Sequence, residues 1–177
     1  MKSIIALALL AGAAPALAQT APSAPPLAAR VSSATYVAMA ASSDTYEVQS
    51  SKLALQHASN PDVRNFAQMM VTDHANTSAS VMAAAKQASI GNPGGPNQKH
   101  TAMLKDLREA GHAKMERLYV DQQVMAHEEA LALHQAFAAQ GDNPGLKAAA
   151  AAAIPIVQRH LEEIRRIQTA MGGPLKR

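Results

Sequence analysis

Asn60-Pro61-Asp62-Val63-Arg64-Asn65-Phe66-Ala67-Gln68-Met69-Met70-Val71-Thr72-Asp73-His74 is the stretch whose reading decides the fold. Asn60 is a strong N-cap residue, Pro61 suits the first helical position because its missing N–H needs no partner there, and Asp62 complements the positive helix end. A helix starts here. Phe66, Met70, Asp73, His74, Thr77 and Val81 follow at spacings of three and four, so His74 rides on the apolar stripe. A polar ring in that position needs a partner, and it is either a hydrogen-bonded core histidine or a ligand in a metal site shared with other helices.

Working outward, Ser59-Asn60 is too short a joint for anything but an antiparallel neighbour, so the preceding helix, over 31–58, packs against the one over 61–89. In the earlier helix Val37, Ala41, Asp44, Val48, Ser51 and Leu55 trace one face, with Glu47 and Ala54 beside it. Gly91-Asn92-Pro93-Gly94-Gly95-Pro96 ends the second helix. A short amphipathic piece over 98–110 turns Met103, Leu104 and Leu107 inward and stops at Gly111.

A long helix over 112–140 carries Tyr119, Gln123, Ala126, His127, Ala130 and His134 on one stripe. Gly141-Asp142-Asn143-Pro144 closes it and caps the next. In that last helix Pro155 must either kink the chain or begin a new segment, because it cannot donate to Ala151. Val157, His160, Leu161, Ile164, Ile167 and Met171 then form the final apolar stripe. No segment alternates with a period of two, so the expected fold is all-α, an antiparallel four-helix bundle with one additional short helix over 31–171.

The N-terminus has Lys2, a short apolar run and Ala16-Leu17-Ala18, the pattern of a secretory signal peptide over 1–18. A Pro- and Ala-rich leader over 19–30 and a disordered tail over 172–177 flank the bundle. No stretch is apolar over the roughly 20 residues that span a bilayer, so the expectation is a soluble, exported protein, periplasmic or secreted. The absence of cysteine excludes disulfides, thiolate chemistry and a lipoprotein anchor. A net charge of +3 spread along the chain and 3% aromatics leave no nucleic-acid footprint.

His74, His127 and His160 come from three helices, each on an inward stripe, and Glu47 comes from a fourth. Rigid helices converging in an apolar core are a common way to build a metal site, and imidazoles with a carboxylate suit one transition-metal ion, zinc, copper or iron. Asp73 and Asp121 are candidates to hydrogen-bond the second nitrogen of a ligating ring, and Glu128 and Glu163 could substitute for Glu47. His57, His100, His112 and His134 read as surface or rim residues, and the methionines as core filler. The rival reading is a non-catalytic envelope stress or interaction protein whose histidines only organise the core. No nucleophile or general base stands out once the ligands are assigned, so an enzyme reading ranks third and no catalytic residue is named. An envelope protein partner and a homo-oligomer both stay open.

Phe66 to His74, Glu47 with Lys52-Leu53-Ala54, Tyr119-Val120-Asp121 through His127-Glu128, and Ile154-Pro155 to His160-Leu161 resemble the bacterial exported family called domain of unknown function 4142. The resemblance spans 36–168 and implies a ferritin-like helical bundle. Ferritin-like di-iron oxidases place Glu-x-x-His on two helices, whereas this chain has Val71, Val124 and Val157 three residues before its histidines. A single histidine-rich site fits these residues better than a di-iron centre.

Overall fold

The computed structural model describes residues 31–175 except 93. The signal peptide and leader read over 1–30 lie outside these residues, as do Pro93 and the side chains of Thr77 and Ala113. Five helices follow one another: α1 Ser33–His57, α2 Pro61–Gln87, α3 Gln98–Glu109, α4 His112–Gln140 and α5 Pro144–Ala170. The fold is all-α, with no strand among the described residues.

Local chemistry sets most boundaries. The Asn60 side chain accepts from the backbone N–H of Asp62 and Val63, Asn97 from that of His100, and Asn143 from that of Leu146, each satisfying donors that a helix start leaves orphaned. Pro61 and Pro144 open their helices. The end of α2 comes from Ser89 rather than from the glycines after it: Ser89 turns left-handed at φ 56°, and Ile90 N–H then reaches the Ala85 carbonyl at 2.9 Å. Pro155 starts no new segment, because α5 runs through it unbroken. Pro155 and Ala151 are both exposed, so water can take the carbonyl that the proline cannot serve.

Four long helices pack as two antiparallel hairpins, α1 with α2 and α4 with α5. Across the hairpins α1 lies against α4, where Tyr36 pairs with His134 and Ser51 with Tyr119, and α2 lies against α5, where Asp73 pairs with His160. Asp62 pairs with Arg166 further along, so in both cases residue numbers rise on one helix as they fall on the other, and every neighbouring pair of the four long helices is antiparallel. Thus α2 and α4 run the same way, and the connection carrying α3 must return the chain along the structure. Ser42 Oγ holds that return in place by accepting from Asn97 N–H at 2.8 Å and sharing a 2.7 Å hydrogen bond with His100 Nδ1.

The interior has apolar clusters on either side of a polar layer. One holds Val63, Phe66, Met70, Tyr119, Leu161 and Ile164, and the other Tyr36, Val37, Val81, Leu133, Phe137 and Leu146. The buried face of α1 is centred differently from the stripe read in the sequence. Tyr36, Tyr46, Glu47 and Ser50 are buried, while Val48 and Leu55 are only partly covered. The cause is that α1 is packed by α2, α3 and α4 together, which covers a wide arc. The tail is tied down in its described part: Arg117 donates to the carbonyls of Met171 and Gly173, and Leu175 N–H to Asp121.

Gly141 sits where a side chain has no room. A Cβ there would lie 2.6 Å from the Phe137 carbonyl oxygen and 2.7 Å from its ring, and that ring is stacked on Tyr36 with centroids 4.0 Å apart. Gly141→Ala is expected to cost about 1–3 kcal/mol, seen as a lower urea midpoint. Gly111→Ala, where a Cβ meets nothing within 4 Å, should leave the midpoint within about 0.5 kcal/mol of the parent.

Candidate metal centre

The polar layer lies at mid-length of the four long helices. Glu47 on α1 is 3% exposed, although burying a carboxylate without compensation is prohibitive. Its Oε1 accepts from Ser43 Oγ at 2.8 Å, and its Oε2 lies 2.9 Å from His74 Nε2 and 3.8 Å from His127 Nε2. His74 is gripped on its other side by Asp44, whose Oδ1 is 2.6 Å from Nδ1 and also accepts from Ser78. Both nitrogens of His74 face carboxylate oxygens, so both carry protons and the ring is an imidazolium.

The electrostatics follow from this geometry. Burial alone would raise the Glu47 carboxyl and lower the His74 imidazolium. The attraction of His127 and His74 and the bonds from His74 and Ser43 instead hold Glu47 well below the usual carboxylate range. In His74 burial is outweighed by Glu47 and Asp44, which push it up to about 10.

The other two rings are arranged differently. His127 Nδ1 is 2.8 Å from the Gln123 carbonyl, which can only accept, so in the neutral ring Nδ1 carries the proton and Nε2 a bare lone pair. His160 Nε2 is 2.9 Å from Asp73 Oδ2 and donates to it, which leaves Nδ1 bare. Burial drives His160 down to about 4 against the pull of Asp73, so the ring is neutral. Neither bare nitrogen has a hydrogen-bond partner, and both are buried. One ring nitrogen from each of His74, His127 and His160 lies within 4.8 Å of the others.

The three histidines and Glu47 are therefore brought together. Asp73 acts across the helix interface, on His160 and on Arg159, and not on its sequence neighbour His74, which a helix turns about 100° away. Asp121 is not brought to the histidines: it accepts from Gln168 Nε2 and Leu175 N–H, each at 2.8 Å. Glu128 and Glu163 lie on the outer surface, paired with Arg165 and Arg166. Asp44, which orients His74, was visible in the sequence only as a carboxylate on the inward stripe one turn before Glu47.

Two of the histidines read as surface or rim residues are in fact buried. His100 is 6% exposed, stacked on Tyr46 and bonded to Ser42, and His134 is 8% exposed and shares a 3.0 Å bond with the Tyr36 hydroxyl. The packing of α3 covers the first and the Tyr36 end of α1 the second. His57 and His112 are exposed.

The shifts predict a two-sided stability profile for chelator-treated protein. His74 is raised in the folded state, so its contribution is complete below pH 6.5 and is lost as pH climbs from there through about 10. His160 is lowered, so its contribution is present above pH 6.5 and is lost as pH falls towards about 4. Thermal melts should show both limbs. Glu47→Gln should shrink the alkaline limb, leaving the part that Asp44 supports, and lower stability by about 1–3 kcal/mol through the loss of one of the two carboxylates that hold the His74 charge.

No curated protein and no solved structure matches the chain. A family match covers residues 16–167, which contain every residue of the polar layer. The chain belongs to the family described as Domain of unknown function (DUF4142).

Proposed function

We propose that this is an exported ferritin-like helical-bundle protein that binds one transition-metal ion through His74, His127 and His160, with Glu47 completing the set. The observation that carries the reading is the pair of bare ring nitrogens, His127 Nε2, which lies 3.8 Å from Glu47, and His160 Nδ1, both buried without a hydrogen-bond partner. An unsatisfied buried acceptor costs about 1–3 kcal/mol. Two in one place need a common compensation, and a cation supplies it. Gln123 and Asp73 already fix the tautomers that ligation requires, as outer partners of metal-bound histidines do. Nitrogens around a shared ion 2.0–2.1 Å away lie about 3.3 Å apart, so binding would draw the three rings inward slightly. Export to the periplasm or medium rests on the charged, apolar and small-residue pattern of 1–18.

A second reading has its own observation. In the Asp44–His74–Glu47 arrangement the buried His74 charge is already met on both sides by carboxylates, as a purely structural polar layer requires. On that reading the protein is a non-catalytic envelope stress or interaction protein, and folding does not depend on metal.

Elemental analysis of untagged protein purified without chelator separates the two. The metal reading expects about one equivalent of zinc, copper or iron, a thermal midpoint lowered by EDTA, and loss of the metal in His127→Ala. An empty protein whose melt ignores EDTA, and which added zinc, copper or iron does not stabilise, supports the structural reading. Ligation through His74 Nε2 must also displace the proton now shared with Glu47. Calorimetry in buffers of different ionisation enthalpy should show about one proton released per ion at pH 7, with affinity falling about tenfold per pH unit on acidification. Uptake without proton release would remove His74 from the ligand set.

A further inference from the structure

Beside the histidines lies a half-open cavity of about 110 Å³. Its walls differ in chemistry from one end to the other. Val81, Met82, Leu133, Ile156 and Val157 line it with apolar surface, and Ala130 and Ala153 leave the space that larger side chains would fill. At the histidine end it is lined by Asp44, Glu47, His74 and His160. His134, also in the lining, stands about 10 Å further along α4 from His127 and shares its Nδ1 with Tyr36.

The histidine end has spare acceptors, while the donors of Ser43, Thr45, Ser78 and His74 around it are already used. Ser43 donates to Glu47, Ser78 to Asp44, Thr45 to the Ala41 carbonyl, and both N–H groups of His74 go to carboxylates. Each carboxylate oxygen can accept more than one bond, and His160 Nδ1, buried to 1% exposure, is a lone pair with no partner. Two carboxylates against one imidazolium leave Asp44, Glu47 and His74 with a net charge of −1. Such an end repels carboxylate and phosphate groups and favours a compact cation with three protons to give.

The geometry points to a binding pocket for a short-chain aliphatic primary amine, its ammonium group at the end lined by Asp44, Glu47 and His160 and its alkyl body against Val81, Leu133 and Val157. The size sets the length. An apolar cavity of about 150 Å³ admits benzene, so the smaller space here suits a body of about four carbons. The inference does not rest on a metal being bound, although an ion and an ammonium group would compete for the same lone pairs.

The test is calorimetric titration of chelator-treated full-length protein with methylamine through hexylamine, with butanol and butyrate as comparators of the same length. Affinity should rise about fourfold per methylene as far as butylamine and then stop rising, and butyrate should bind at least tenfold more weakly than butylamine. Ala153→Leu, which fills the apolar half, should weaken butylamine at least tenfold while keeping or raising the thermal midpoint. Butyrate binding as tightly as butylamine, gains that continue through hexylamine, or an Ala153→Leu variant that binds like the parent would each overturn the proposal. If that variant does not fold, the head-group and chain-length series on the unsubstituted protein decides. Metal content, measured on separate samples, fails or succeeds independently of the amine series.

Discussion

Glu47 is the constraint around which the rest is arranged. A carboxylate at mid-helix, 3% exposed, can stay ionised only if opposite charge and hydrogen bonds replace the water it has lost. Ser43 and His74 supply those bonds, and Asp44 and Ser78 hold His74 in position to do so. The requirement spreads from there. Next to Glu47, Ser50 and Ser51 bond to Gln123 and Tyr119 and so join α4 to α1, and His160 is met by Asp73 reaching across from α2. The apolar clusters on either side keep solvent away and so strengthen every one of these interactions.

The same layer explains why α1 is so weakly amphipathic for a helix contacted on three sides. Ser42, Ser50 and Ser51 are all buried on α1. Their hydroxyls are small enough to let neighbouring helices approach and are satisfied by specific partners: Ser42 by His100, Ser50 by Gln123 and Ser51 by Tyr119. Part of the cohesion between α1 and its neighbours is thus hydrogen bonding inside the core, which fixes register more sharply than apolar contact does.

The fold was legible in the sequence because its signals are local. Asn60-Pro61 and Asn143-Pro144 mark helix starts through caps that need only a few residues, and the stripes of α2, α4 and α5 follow from spacing alone. Glu47, His74, His127 and His160 were legible as a set for the same reason, as polar residues at inward phases. Distances, partners and tautomers were not. Asp44 and Asp73 differ from Asp121 only in what the opposing helix presents to them, and nothing within their own helices encodes that. The burial of His100 depends on where α3 comes to rest after a Gly- and Pro-rich connection, and the centre of the α1 face on how many neighbours cover it.

The way the site divides between the two hairpins has a mechanical consequence. The N-terminal hairpin brings Asp44, Glu47 and His74, already hydrogen-bonded to one another, while the C-terminal hairpin brings His127 and His160, each with an unpartnered nitrogen. The polar layer is therefore a seam between a charged half and a neutral half, stitched by Asp73 to His160 and Arg159 and, from α1 to α4, by Ser50 to Gln123 and Ser51 to Tyr119. Sliding one hairpin along the other by a single helical turn, about 5.4 Å, would leave each half internally intact yet break every contact across the seam. The alignment of the two hairpins is thus held to a fraction of a turn by polar groups, in a core whose alanine-rich surfaces would otherwise slide with little resistance.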